Sequence, residues 1–391
     1  MRLFALYPFM VCAWCCAGCR ETAPPTVVVT GLKIYNAFDS SRRFDTTGND
    51  PSRLYRPVRI DLFYPSGDTS SKETLTFGDL LDMYERRMDY NVGSDSAHNT
   101  AVELARSIAD YLKIESPAKL LAVPTGIEKD PHTPTKRLPL IVYAASMNGS
   151  SWENFGIFDS LAHHGYVIAS ISSVGKFPGF MSDAVDMNEQ VYDILFAIRQ
   201  LKSKTFIDST MIGCLSWSLG GTAIVKAAML EPRIRCLLSY DGTEIHYYGF
   251  DTAWDTEYRK IMRIAPFEPD LVKVPYMYLS SEHPTDADSI YLFPNHTSSP
   301  KKYFLKFKGA IHENFSALPA VATATARALD TIDGGRSRII AGLTITFFDE
   351  FLKNEGSGQT VQMINALLHD TRPAVTDSLP LPGRQTHLRL Q

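Results

Sequence analysis

The sequence lacks the features that mark several functional classes. Its 39 lysines and arginines are scattered among 43 acidic residues, and a net charge of −4 leaves no basic patch, so we expect no nucleic-acid partner. It contains no Gly-rich phosphate loop, and its histidines, cysteines and carboxylates show no metal-ligand spacing. We therefore predict no cofactor and no metal. The sequence has no internal repeat, and it does not indicate an oligomeric state.

Cysteines and long apolar runs are scarce beyond the N-terminus. Four of the six cysteines lie within residues 1–19, where a basic second residue precedes an apolar run too short to span a bilayer comfortably. This pattern predicts an export signal over residues 1–19 and a Pro-rich tether over residues 20–26. The other two cysteines, Cys214 and Cys236, lie in apolar runs, which predicts free, buried thiols rather than a disulfide.

The end of the export signal resembles a bacterial lipobox. Residues 16–19 read Cys-Ala-Gly-Cys, with small residues before a cysteine that would become lipidated, although Cys16 stands where a leucine is usual. We predict an exported protein, periplasmic or on the cell surface, attached to the membrane through a lipidated Cys19. Signal cleavage without a lipid, which would give a secreted protein, is the main alternative, and a transmembrane anchor is a further one.

Strand and helix patterns alternate from residue 138 onward, as a mostly parallel, doubly wound sheet of the α/β class requires. Two helical patterns over residues 76–114, named here the helical insert, interrupt the strands as either a cap over a site or a peripheral packing element. We predict one catalytic domain over residues 27–371 and a flexible tail over residues 372–391. The predicted strands are residues 27–29, 58–65, 140–143, 166–171, 211–215, 235–240, 274–279 and 303–307. The predicted helices outside the helical insert are residues 152–164, 183–204, 220–230 and 336–353. Residues 244–270 and 283–300 are insertions without clear periodicity.

Residues 211–221 carry the strongest signal for chemistry. A strand pattern runs straight into a helix pattern through Ser216-x-Ser218-x-Gly220, which is the arrangement of a nucleophile elbow. Such a turn holds its central serine in a strained conformation above the sheet edge, so the residues two before and two after it must be small. Ser216 replaces the commoner glycine and meets this condition. We predict that Ser218 is a nucleophile; an incidental turn serine is the alternative.

A serine hydroxyl needs an imidazole as general base, and the imidazole needs a carboxylate to orient it. His312 is the candidate base because it lies in a loop directly after the last predicted strand, whereas the other histidines lie on helices, in earlier loops or near the tail. Asp241 is the favoured acid because it ends the strand after the nucleophile, at the edge where ligands bind such sheets. The alternative acids follow the next strand and are Glu282, Asp286 and Asp288.

These segments together resemble the platelet-activating factor acetylhydrolase family of α/β-hydrolases, which is related to the dienelactone hydrolases. The resemblance covers roughly residues 55–355 and rests on residues 59–65 (Arg-Ile-Asp-Leu-Phe-Tyr-Pro), 140–143 and 161–169, the elbow, Asp241 and Lys308-Gly309-x-x-His312-x-Asn314-Phe315. It implies an α/β-hydrolase fold, an acid at the Asp241 position and a histidine in a loop like that of His312. It also implies hydrolysis of short or oxidised acyl chains from phospholipid-like or other small esters, without a metal.

One segment departs from that family. After the strand over residues 140–143 the family carries a His-Gly pair, whereas this chain has Ala-Ala-Ser-Met-Asn-Gly over residues 144–149. Aligned on that pair, Met147 would supply one backbone N–H of an oxyanion hole, and Leu219, directly after the nucleophile, would supply the other.

The sequence therefore predicts a serine ester hydrolase that acts on a small-molecule or lipid ester through Ser218, His312 and Asp241. A non-catalytic surface binding protein on a hydrolase scaffold is one alternative, favoured by the altered segment at residues 144–149. A second alternative keeps the same catalytic residues and changes the bond to an amide, a polysaccharide ester or a polyester.

Overall fold

The structure of the protein is a computed structural model that describes residues 28–45, 54–67, 73–245, 252–282, 293, 296–325, 335–354, 356–369 and 375–376. Cys19, the export signal and the tether lie outside the described residues, as do Asp286 and Asp288. The predictions made for them therefore stay predictions. Among the described residues, no helix is both long enough and apolar enough to cross a membrane.

The centre of the molecule is a mixed sheet in which the described strands follow the order β11-β10-β9-β8-β7-β5-β6-β2-β1-β4-β3. The six strands from β10 to β6 run parallel, and antiparallel pairs of β2 with β6, β1 with β2 and β3 with β4 extend one side. The strands are β1 Val29–Arg43, β2 Tyr55–Ser66, β3 Thr74–Thr76, β4 Pro124–Lys129, β5 Leu138–Ala144, β6 Val167–Ile171, β7 Ile207–Trp217, β8 Ile234–Tyr240, β9 Tyr276–Ser280, β10 Lys302–Phe307 and β11 Val375–Thr376.

Helices cover both faces of this sheet. The α-helices of the described residues are α1 Phe77–Asp82, α2 Ser94–Leu112, α3 Pro117–Leu121, α4 Phe155–His163, α5 Ala184–Leu201, α6 Gly220–Leu230, α7 Thr252–Arg263, α8 Leu318–Ala324, α9 Arg336–Phe348 and α10 Gln359–His369. Short 3-10 helices lie at Glu85–Arg87, Ser151–Asn154, Pro269–Leu271 and His312–Phe315, and a π-helical turn at Asp349–Lys353 follows α9.

Strand β5 illustrates why the sheet is buried on both faces. Ile141 and Tyr143 point into one apolar cluster with α4, α9 and the helical insert, whereas Leu140 and Val142 point into a second cluster with α5 and α6. Successive strand residues face opposite sides, so a fully buried parallel strand is apolar throughout. The continuous apolar run at residues 140–143 follows from this position.

The structure confirms the predicted fold class and the mostly parallel arrangement of the central strands. Cys214 and Cys236 are free and buried, as predicted. One expectation was wrong: residues 244–270, read as lacking periodicity, contain the amphipathic helix α7. Val375–Thr376, inside the segment predicted to be a tail, pair with β10 as β11.

The helical insert packs directly against the main core. Phe77 in α1 lies 6.1 Å from the Trp152 ring and 5.8 Å from the Phe155 ring, measured between centroids. At the end of α2, Tyr111 interacts with Glu313, the residue after His312. The helical insert therefore borders both the loop after β5 and the loop that carries His312. Whether it acts as a cap over the site or as a packing element stays a prediction.

Candidate active site

Ser218 occupies a sharp turn between β7 and α6. Its φ of +56° lies in the left-handed region, which a residue with a Cβ adopts only at an energetic cost. The turn is held by main-chain bonds, because the Ser218 N–H donates to the carbonyl of Tyr240 at 3.0 Å and the Ser218 carbonyl accepts from the N–H groups of Gly221 and Thr243. This is the geometry predicted for a nucleophile elbow.

The residues around the elbow must be small because the chain passes close to β5 and β8. A Cβ at Gly220 would lie 2.2 Å from the carbonyl oxygen of Ala144, so only glycine fits there. Ser216 fits at the other small position because it is fully buried beside β8 and its Oγ donates to Oγ of Ser239 at 3.2 Å. The serine that replaces the usual glycine therefore has a polar partner.

Backbone strain at Ser218 makes a stability prediction. We expect the free energy of unfolding to be about 1 kcal/mol higher for Ser218→Gly than for Ser218→Ala, because the relief of left-handed strain exceeds the entropic cost of glycine. Urea denaturation of the two variants measures the difference. A glycine variant less stable than the alanine variant would contradict the inferred strain.

Asp241 follows β8 and is buried beside the elbow. Its own φ of +46° is left-handed, and its N–H donates to the carbonyl of Leu279 at 2.8 Å. Its carboxylate accepts from the Ser281 N–H at 2.9 Å and from the Ser281 hydroxyl at 2.6 Å. Ser281 therefore fixes the orientation of the carboxylate, a role that the sequence did not indicate.

His312 begins a 3-10 helix after β10 and contacts Asp241. Its Nδ1 lies 2.7 Å from Oδ2 of Asp241, and since a carboxylate only accepts, the imidazole donates through Nδ1. The His312 ring stacks on Trp217 at a centroid distance of 5.0 Å, and the Trp217 Nε1–H donates to the His312 carbonyl at 3.3 Å. Ser218, Asp241 and His312 thus lie on three adjacent chain segments.

The carboxylates around His312 set its electrostatics. Burial by itself lowers the pKa of the imidazole, but the hydrogen bond and charge of Asp241, together with the charges of Glu313 and Glu153, raise the pKa above its usual value. Only 24% of the side chain is exposed. The surroundings of His312 therefore stabilise an imidazolium, the charge that a general base acquires when it takes a proton.

Glu282, the described alternative acid, has a different partner. Its carboxylate accepts from the Gly309 N–H at 2.7 Å, and its own N–H donates to the carbonyl of Ala310 at 3.0 Å. Glu282 therefore stabilises the turn before His312, whereas Asp241 accepts a hydrogen bond from the imidazole itself.

The side chain of Asn148 holds the loop after β5 in place with two hydrogen bonds. Asn148, at a left-handed φ of +58°, accepts through Oδ1 from the Met181 N–H at 2.7 Å and donates through Nδ2 to the Met181 carbonyl at 3.5 Å. Asparagine tolerates left-handed φ better than most residues. This pair fixes the loop that carries Met147 against the loop after β6.

Met147 and Leu219, the predicted oxyanion-hole residues, pack against the same apolar cluster. Among the described residues, no acceptor takes the backbone N–H of either one. Leu219 directly precedes the first residue of α6, where main-chain N–H groups are not used within the helix. Neither N–H group is therefore used within the described structure, and the oxyanion-hole role of Met147 and Leu219 stays a prediction.

Glu153 is a further charged residue beside this loop, and sequence reasoning missed it. It is 1% exposed, its carboxylate accepts from the N–H and hydroxyl of Ser146, and Tyr143 donates to it at 3.1 Å. Burial raises the pKa of Glu153 to about 7, although the bonds from Ser146 and Tyr143 and the charge of His312 lower it. The only sequence signal was a lone acidic residue between Trp152 and Phe155.

Comparison with known proteins adds information on the fold. No protein-family model and no curated protein matches the sequence. Among solved structures, a ferulic acid esterase from Streptomyces cinnamoneus is similar to this chain, with 16% sequence identity and a TM-score of 0.55. The match covers 86% of this chain and 96% of the esterase. An acylaminoacyl peptidase from Pyrococcus horikoshii matches 59% of this chain and 40% of its own, with 19% identity and a TM-score of 0.44. The chain has an α/β-hydrolase fold, and its resemblance to the platelet-activating factor acetylhydrolase family stays a prediction.

Proposed function

We propose that the protein is a serine ester hydrolase with Ser218 as nucleophile, His312 as general base and Asp241 as the orienting acid. The observation that carries the proposal is the 2.7 Å bond from Nδ1 of His312 to Asp241, formed beside a serine at a left-handed elbow. A buried carboxylate on Nδ1 leaves Nε2 free to accept a proton. A serine that merely occupies a turn would need neither the strained backbone nor a neighbouring His312–Asp241 pair.

The reaction would run through an acyl-enzyme. His312 removes the Ser218 proton as the hydroxyl attacks the ester carbonyl, and the N–H groups of Met147 and Leu219 hold the oxyanion. The imidazolium then protonates the leaving alcohol, and a water activated by His312 releases the acid. Asp241 keeps the imidazole in the tautomer that each step requires.

The surroundings favour an ester with an apolar part. Phe177 and Phe180 are 48% and 71% exposed on the loop after β6, and Phe180 directly precedes Met181, which bonds Asn148 beside Met147. Exposed aromatic side chains next to such a site offer a surface for an apolar acyl or alcohol group. A short-acyl or phospholipid-like ester, as the family resemblance implies, fits this surface, and attachment through a lipidated Cys19 would hold the protein at a membrane.

The proposal is tested by rapid mixing with nitrophenyl acetate and nitrophenyl butyrate. We expect a burst of nitrophenolate equal in amount to the protein, followed by slower turnover, since acylation by an activated ester is faster than hydrolysis of the acyl-enzyme. Hydrolysis of a matched nitroanilide and of a polyester film distinguishes the alternative substrates. A folded protein with no burst and no turnover on any of them would favour a non-catalytic binding protein.

The raised pKa of His312 predicts the pH dependence of kcat/KM. Because the base must be neutral, activity falls when the imidazole gains a proton, and its raised pKa moves that fall upward. We expect the acidic limb to have its midpoint above about pH 6.5, the ordinary histidine value. Initial rates between pH 5 and 9 measure it, and a midpoint well below that value would contradict the inferred effect of Asp241.

A further inference from the structure

We propose that Glu153 is a positioning residue, which holds the oxyanion loop at Ser146 and Met147 in its working shape while it is ionised. The inference rests on the proposed function and assigns this reaction a further residue. Glu153 does not touch the substrate in this account. It acts through the loop and through the charge that it places near His312.

The contacts of the carboxylate support a holding role. Both of its oxygens are engaged by Ser146, one by the hydroxyl and the other by the main-chain N–H at 3.0 Å. Ser146 directly precedes Met147, so these bonds hold the backbone immediately before the Met147 N–H. Gly149 closes the same loop, and a Cβ at that position would lie 1.8 Å from Oε1 of Glu153. The loop therefore wraps around the carboxylate.

The bonds to Glu153 favour its ionised form. The Ser146 N–H, the Ser146 hydroxyl and the Tyr143 hydroxyl all donate to it, and Tyr143 in turn accepts from Asn154 Nδ2 at 2.8 Å. A carboxylate accepts every one of these bonds, whereas a protonated carboxyl must donate one. Gain of a proton would therefore force one hydroxyl, of Ser146 or Tyr143, to turn from donor to acceptor, and it would weaken the charge-assisted bonds that order the loop.

The helical insert is linked to this carboxylate. Among the described residues, the titratable and charged groups that interact with Glu153 are Tyr143 on β5, Tyr84 and Arg87 in the helical insert, and His312. Arg87 is 1% exposed, and its Nε and Nη2 have no hydrogen-bond partner among the described residues. Its positive charge favours the ionised form of Glu153, which gives the helical insert an electrostatic role at the site.

The proposal predicts a distinctive pH profile for the wild-type chain. If activity needs both ionised Glu153 and neutral His312, two protons must be lost, and the acidic limb of log kcat/KM against pH should approach a slope of two. In Glu153→Gln we expect a slope of one and a midpoint at lower pH, since the charge that raises the pKa of His312 is gone. We also expect plateau kcat to fall about tenfold, from the weaker hold on Ser146.

A matched variant separates this role from general damage to the core. Glu350 is also fully buried, and its carboxylate accepts from the Thr360 N–H and from Lys301, which directly precedes β10. Glu350→Gln should leave the slope and the midpoint unchanged. Arg87→Met should keep the steep slope and move the midpoint to higher pH, which provides a second test if Glu153→Gln does not fold.

An NMR titration of the full-length chain tests the proposal without relying on catalysis. The imidazole resonance of His312, assigned by its loss in His312→Asn, should titrate at lower pH in Glu153→Gln than in wild type and unchanged in Glu350→Gln. If no ester is hydrolysed, the proposed function fails, while this titration still tests the link between Glu153 and His312. The proposal is overturned by an unshifted His312 titration in Glu153→Gln, or by identical slopes and midpoints in an active wild type and Glu153→Gln.

Discussion

Replacing Ser218 with alanine is expected to lower kcat for short esters by about a millionfold, because the covalent step disappears. The fold should persist, since alanine fits the same left-handed turn and the bonds to Tyr240, Gly221 and Thr243 come from the main chain. Steady-state hydrolysis of nitrophenyl butyrate, beside circular dichroism of both proteins, measures the effect.

Ser216→Ala is the matched control for this variant. Ser216 lies two residues earlier in the same elbow, but its hydroxyl bonds Ser239 inside the core. We expect its loss to cost some stability and to leave kcat within a few-fold of wild type. An equal loss of kcat in both variants would indicate damage to the elbow. Full activity of Ser218→Ala would show that Ser218 is not the nucleophile.

Asp241→Asn is expected to lower kcat by about ten-thousandfold at neutral pH, because an amide no longer fixes the His312 tautomer or stabilises the imidazolium. Asparagine suits the φ of +46°, so the backbone should not move. The measurement is kcat for nitrophenyl butyrate between pH 6 and 9.

Glu282→Gln is the control for the acid. An amide oxygen at that position can still accept from the Gly309 N–H, and the side chain has no bond to the imidazole. Activity should stay near the wild-type value. If Glu282→Gln lost activity while Asp241→Asn kept it, the acid would have to be moved to the loop after β9.

The elbow could be read from the sequence because its constraints are local. Ser218 and Gly220 lie within five residues of the strand-to-helix change, and close approach to β5 demands a small residue at that turn. The choice between Asp241 and Glu282 could not be settled in this way. Both carboxylates end neighbouring parallel strands, and what separates them is a long-range bond to His312 and the two bonds from Ser281.

Residues that act through distant partners left no clear trace in the sequence. Trp217 reads as the last apolar residue of a strand, yet it stacks on a histidine 95 positions later. Asn148 and Met181 are joined across 33 residues, and Glu153 gains its role only when its 3-10 turn folds back onto the loop after β5. Residues 252–263 do carry an amphipathic helical pattern, which sequence reasoning did not recognise.

Mass spectrometry after reaction with a fluorophosphonate shows whether Ser218 is an activated nucleophile. This reagent modifies a serine hydroxyl that a neighbouring base has activated. We expect one adduct per chain, on the peptide that contains Ser218. The adduct should be absent from Ser218→Ala and retained in Ser216→Ala. A folded protein that gains no adduct, or gains it on another serine, would show that Ser218 is not the activated nucleophile.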